Sequence, residues 1–229
     1  MFSDINFDGV LSLFLFCIEF ILLLNILFFA NRNRTNIIAF IMLSCLTAYQ
    51  FIEFLLCNRM MQSPSIAYSA FFIISFLPPL GFLLATSFNN RFNRMNYLIL
   101  IPAISILAYY ATMIETFKVA KCTVIYASYN YPLGDLYGLI YYLPILATLI
   151  ILLQGAKNKS ATDIRNLNIL LIVGYVIIII PSILGFIFYH EYWRIVESVM
   201  CKFAFFFAAA LSYFTLKNGK LRKEIKTVF

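Results

Sequence analysis

Seven stretches of mostly apolar residues follow one another along the chain, at about 9–30, 36–57, 66–87, 97–117, 136–154, 168–189 and 194–216. Each is close to the roughly 20 residues that an α-helix needs to cross the hydrocarbon core of a bilayer. A helix also satisfies its own backbone N–H and C=O groups, which no water does inside a membrane. The pattern predicts an all-α, polytopic integral membrane protein: a seven-transmembrane-helix bundle over residues 1–217, followed by a short basic tail over 218–229. Connections are short, so a chain of 229 residues has no room left for a soluble catalytic domain. Composition agrees, with 63% hydrophobic and 12% charged residues, against about half apolar and a quarter charged in soluble domains.

The net charge of +7 does not indicate nucleic acid, because the basic residues sit in the connections. One set of connections holds Arg32 and Arg34, then Arg91 and Arg94, then Lys157, Lys159 and Arg165, and the C-terminal segment holds Lys217, Lys220, Arg222, Lys223 and Lys226. The alternate set holds only Arg59, Lys118, Lys121 and Arg194. An excess of Lys and Arg marks the cytoplasmic side, and the anionic inner leaflet attracts such residues. The expected topology is N-out/C-in, in a plasma or inner membrane. The N-terminus carries Asp4 and Asp8 and no basic residue, unlike a cleaved signal peptide, so the first helix is expected to be retained.

Pro78-Pro79 in the third stretch and Pro102 in the fourth predict bends, as do Pro144 and Pro181 in the fifth and sixth. Cys17, Cys45 and Cys201 lie inside apolar runs and read as small packing residues. Cys57 and Cys122 fall on the same, outer side and form a disulfide pair if the compartment oxidises thiols. The outer connection at about 118–135 is rich in tyrosine (Tyr126, Tyr129, Tyr131). It reads either as a headgroup-level belt or as a lid.

Ionisable residues inside spans are costly and mark functional sites by default. Four occur: Glu19, Glu53, Glu197 and Lys202. At 1.5 Å per residue, Glu53 and Glu197 lie about 5–6 Å and Lys202 about 12 Å below the outer interface. With the first, second and seventh helices adjacent, the four charges converge on one site open to the outside. Gln50, Glu53 and Cys57 share one face of the second helix, and Ser198 and Lys202 share one face of the seventh. Glu197 and Lys202 are about 140° apart around their helix, so Lys202 is expected to pair across helices with Glu53 or Glu19. The readings of this cluster are a ligand or proton site and a buried ion pair that fixes helix register.

His190, beside Glu191 and Trp193, reads as an interfacial residue of an outer turn. One histidine does not supply the ligand set of a zinc hydrolase, and no phosphate-binding loop or nucleophile elbow occurs. No cofactor or metal is expected. A retinal protein is disfavoured, since the third stretch has no carboxylate counter-ion and the only tryptophan is Trp193.

Short matches along the chain resemble a prokaryotic family of seven-helix membrane proteins with no assigned activity: Met1-Phe2-Ser3, Gln50-Phe51-Ile52-Glu53, Leu77-Pro78-Pro79-Leu80, Ser198-Val199-Met200-Cys201 and Ala208-Ala209-Ala210-Leu211-Ser212. The family begins Met-Cys-Phe-Ser and carries Gln-Gln then Glu-Gly in helix two and Ser-Val-Trp-Cys in helix seven. Here the early cysteine is missing, Tyr49 and Phe54 replace the first Gln and the Gly, Met200 replaces the Trp, and Lys202 stands where an aromatic is usual. The resemblance implies the fold and the choice of Gln50, Glu53 and Ser198, not a reaction. Residues 136–181 are also similar to seven-helix sensor domains of histidine kinases, which implies a separate signalling partner on the cytoplasmic face. The expectation is a receptor- or sensor-like bundle binding a small polar or cationic ligand from outside at Gln50, Glu53, Glu197, Ser198 and Lys202, with an enzyme acting on lipid left open by the unpaired carboxylates alone. The alternative is a small-solute or proton-coupled transporter using Glu19 and Glu53.

Overall fold

The computed structural model describes residues 9–57, 63–122, 127–130, 132–157, 162–188 and 196–228. Helices α1 (Val10–Phe29), α2 (Arg34–Cys57), α3 (Pro64–Ser75), α4 (Leu77–Phe88), α5 (Leu100–Ala111), α6 (Gly134–Lys157), α7 (Thr162–Phe188) and α8 (Val196–Val228) form the bundle. Among the described residues seven spans are long and apolar enough to cross a membrane, α3 and α4 together making the third. Strands β1 (Lys118–Cys122) and β2 (Ala127–Asn130) pair antiparallel, Lys118 opposite Asn130 and Cys122 opposite Ala127. This hairpin occupies part of the tyrosine-rich connection. His190, Glu191 and Trp193 lie outside the described residues, as do Tyr126 and Tyr131.

The prolines act differently from one another. Pro78 and Pro79 do more than bend the third span: α3 ends at Ser75 and a new helix starts at Leu77. Two adjacent residues without N–H cannot continue the ladder but fit a first turn, where those donors have no intrahelical partner. Pro102 also falls in a first turn, that of α5, rather than in a helix interior. Pro144 and Pro181 lie inside α6 and α7, which run through them. The basic segment expected as a tail continues α8 as far as Val228, consistent with the good helix propensity of Lys and Arg.

Almost every residue of α4 is buried, and it packs between α2 and α6. α8 packs against α1, α2 and α7, while α5 lies outside against α3 and α6. The outer faces are apolar: Phe14, Ile21, Phe28 and Phe29 of α1 and Leu139 and Leu146 of α6 are exposed. The polar residues Ser12, Glu19, Gln50, Glu53, Thr148, Asn168 and Thr215 are buried. An apolar exterior around a partly polar interior suits lipid as solvent.

In lipid, close contact and interhelical hydrogen bonds hold helices together more than apolar burial does. Asparagines close the end of the bundle that carries the basic connections. Asn31 Nδ2 donates to the Gly219 carbonyl at 2.7 Å, Asn218 Nδ2 to Asn36 Oδ1 at 2.7 Å, and Asn89 and Asn168 exchange amide bonds at 2.9 and 3.2 Å. On α7, Gly174 receives the Phe207 ring of α8, where a Cβ would stand 2.6 Å from Cδ2. Gly174→Ala is therefore expected to destabilise by about 1–3 kcal/mol, as overpacking does. Gly138→Ala, whose Cβ meets nothing within 4 Å, is expected to be neutral or slightly stabilising. Thermal unfolding in detergent separates the two.

Candidate functional site

Three helices bring polar side chains to one point near the other end of the bundle. α1 supplies Ser12, α2 supplies Gln50 and Glu53 one helical turn apart, and α8 supplies Ser198 and Lys202 one turn apart. Lys202 Nζ lies 2.9 Å from Glu53 Oε1 and donates to Ser12 Oγ at 2.7 Å and Gln50 Oε1 at 2.9 Å. An ammonium has three donors, and each has an acceptor here. The Lys202 and Glu53 side chains are only 7% and 1% exposed, so the pair is buried rather than set in an open vestibule.

Glu53 Oε1 gathers most of the contacts. Ser198 Oγ donates to it at 2.9 Å and Ser12 Oγ at 3.4 Å. Gln50 faces two ways: its Oε1 accepts from Lys202, and its Nε2 donates to the Cys201 carbonyl at 2.8 Å. That second bond ties α2 to the α8 backbone independently of charge. Glu53 Oε2, by contrast, is buried with no hydrogen-bond partner among the described residues.

Glu19 stands apart from this cluster. It occupies the same α1 face as Ser12, seven residues on, and is wholly buried with neither carboxyl oxygen hydrogen-bonded among the described residues. The ammonium's contacts go to Glu53, Ser12 and Gln50 instead. Glu197 is placed in the first turn of α8, and its side chain lies outside what the structure describes. Sequence reasoning missed Ser12, although its two-turn spacing from Glu19 was a signal. The Cys201 carbonyl left no signal, because any residue type carries one.

The site is roofed at close range. Cys57, one turn beyond Glu53, is disulfide-bonded to Cys122 at the end of β1, with Cα atoms 5.4 Å apart. Gly9, at φ +77°, leads into α1 so tightly that a Cβ there would meet the Cys57 Cβ at 3.0 Å. A left-handed φ without a side chain is what glycine supplies.

Fold and site together define a bundle with seven membrane-length spans among the described residues, in which the first, second and last are joined by a buried, hydrogen-bonded ion pair. No protein-family model, no curated protein and no solved structure matches the chain.

Proposed function

We propose that this chain is a receptor- or sensor-like seven-helix membrane protein, oriented N-out/C-in, with the Lys202–Glu53 pair as the lock of its resting state. A small cationic ligand entering from the disulfide end exchanges with the Lys202 ammonium at Glu53. Ser198 and Gln50 supply its further hydrogen bonds, and Glu197, at the start of the same helix, lies toward the entrance. The observation that carries this reading is the set of contacts on Lys202, which join α8 to both α1 and α2. Loss of the pair frees α8 relative to its neighbours, and the basic cytoplasmic end of α8 presents that change to a separate partner.

A second reading has its own observation. A carboxylate buried without a partner is expensive, and Glu19 has no hydrogen bond on either oxygen among the described residues. A proton or bound cation must compensate its charge, as in a relay that passes between Glu19 and Glu53. The chain would then be a proton-coupled carrier.

One set of reconstituted vesicles tests both readings. Small primary and quaternary ammonium compounds are expected to raise the unfolding temperature of the wild type but not of Glu53→Gln, with no solute or proton flux. Flux that depends on pH and vanishes in Glu19→Gln favours the carrier. The receptor reading fails if no ammonium compound shifts the wild type, or if Glu53→Gln responds equally.

A further inference from the structure

A groove of about 310 Å³ lies at the basic end of the bundle, between the end of α1 and the start of α2. Asn31, Arg32 and Asn36 form its polar mouth, and Leu27, Ile37 and Phe40 line its apolar length. From the interhelical turn inward, the walls change from guanidinium and amide to alkyl and ring within roughly 9 Å. Leu27 and Ile37 are 46% and 49% exposed, so the groove opens sideways, toward the surroundings of the bundle rather than its interior.

The two arginines of this turn differ. Arg34 lies over the Phe92 ring, 4.6 Å from its centroid. Arg32 is exposed and has no ion pair or hydrogen bond among the described residues. Asn33 caps α2, its Oδ1 accepting from the Asn36 N–H at 2.9 Å, and its Nδ2 is buried with no partner among the described residues. The positive end of the α2 dipole adds to the field at the mouth.

We propose that this groove is a binding site for one anionic phospholipid, its phosphate against the Arg32 guanidinium and an acyl chain along Leu27, Ile37 and Phe40. The order of polarity along the groove is that of a lipid, headgroup first and tail deeper. A soluble phosphate would meet one exposed arginine and leave the apolar length empty. A zwitterionic lipid would fill that length but bring a cation beside Arg32. The seated lipid also braces α8. Asn31 and Asn36, which shape the mouth, bond the Gly219 carbonyl, the Thr215 carbonyl and Asn218. None of this depends on what the Lys202–Glu53 pair does.

The test uses the full chain in a neutral detergent, titrated separately with phosphatidylglycerol, phosphatidylcholine and soluble glycerol phosphate. Bound molecules are counted by native mass spectrometry, and the unfolding midpoint is followed in parallel. One phosphatidylglycerol is expected to be retained and to raise the midpoint, the other two binding about fivefold or more weakly. Arg32→Gln is expected to lower phosphatidylglycerol affinity about fivefold, with Arg32→Lys retaining most of it. Ile37→Asn, which leaves the charge intact, is expected to weaken it as well. Arg94→Gln, an equal loss of charge elsewhere, is expected to leave it unchanged. Equal binding of phosphatidylcholine, full competition by glycerol phosphate, or an unaltered affinity in Arg32→Gln would each overturn the proposal.

Discussion

Replacing Glu53 with alanine is expected to lower the stability of the purified protein by about 3–5 kcal/mol, the range for removing one partner of a buried ion pair. The loss is large because Lys202 stays behind, with Ser12 and Gln50 as neutral acceptors only, while Ser198 loses its Glu53 bond. Glu53→Leu combined with Lys202→Met is expected to recover much of that loss, since an apolar pair of similar volume has no charge to compensate. The two substitutions should thus be strongly non-additive in a double-mutant cycle, read from unfolding in detergent. A coupling below about 1 kcal/mol is what an ordinary interhelical hydrogen bond contributes in a membrane protein. It would show that the released ammonium reaches water along its flexible stem, and that the pair does not lock the helices.

The second large effect concerns the roof of the site. The Cys57–Cys122 bond closes a loop of 65 residues, which contains all of α3, α4 and α5. Chain entropy alone then gives a stabilisation of about 4 kcal/mol. Cys57→Ser, Cys122→Ser and the double variant are expected to lose the same amount, because any one of them opens the same loop. Reductant should lower the wild type to their level and leave all three unmoved. Alkylation of both thiols in unreduced protein from an oxidising compartment would contradict this. So would wild type and variants unfolding at one temperature.

The apolar runs could be read directly because crossing a membrane imposes a length and a composition, and the spans follow them closely. Helix boundaries were harder wherever chemistry other than apolarity decided them. Falling hydropathy after Leu216 marked a tail, yet α8 continues because lysine and arginine are adequate helix formers once out of the apolar zone. The β1–β2 hairpin gave no sign, since a four- or five-residue strand has too few positions for a period to emerge. At the site, spacing along one helix was sufficient to place Gln50 with Glu53 and Ser198 with Lys202 on common faces. The first, second and last helices meet as expected; that Lys202 contacts Glu53 and Ser12 rather than Glu19 depends on how those helices are turned against one another, which intrahelical periodicity does not encode. Ser12 escaped notice because a hydroxyl is cheap in an apolar helix, where it can bond its own backbone. The asparagine contacts at the basic end escaped because each joins residues far apart in the chain, Asn31 with Gly219 and Asn89 with Asn168.

Helix α8 is 33 residues long, or roughly 50 Å, against a hydrocarbon thickness of roughly 30 Å. Lys202 lies near one end, and the Asn31, Asn36 and Asn218 contacts grip the rod about two-thirds of the way along. Under the receptor reading proposed above, such a rod would act as a lever with its fulcrum at the asparagines. Unfastening Lys202 would let the near arm swing and drive the far arm, with Arg222, Lys223 and Lys226, in the opposite sense. With the near arm about twice the length of the far one, the stroke at the basic tip is about half that at the ion pair.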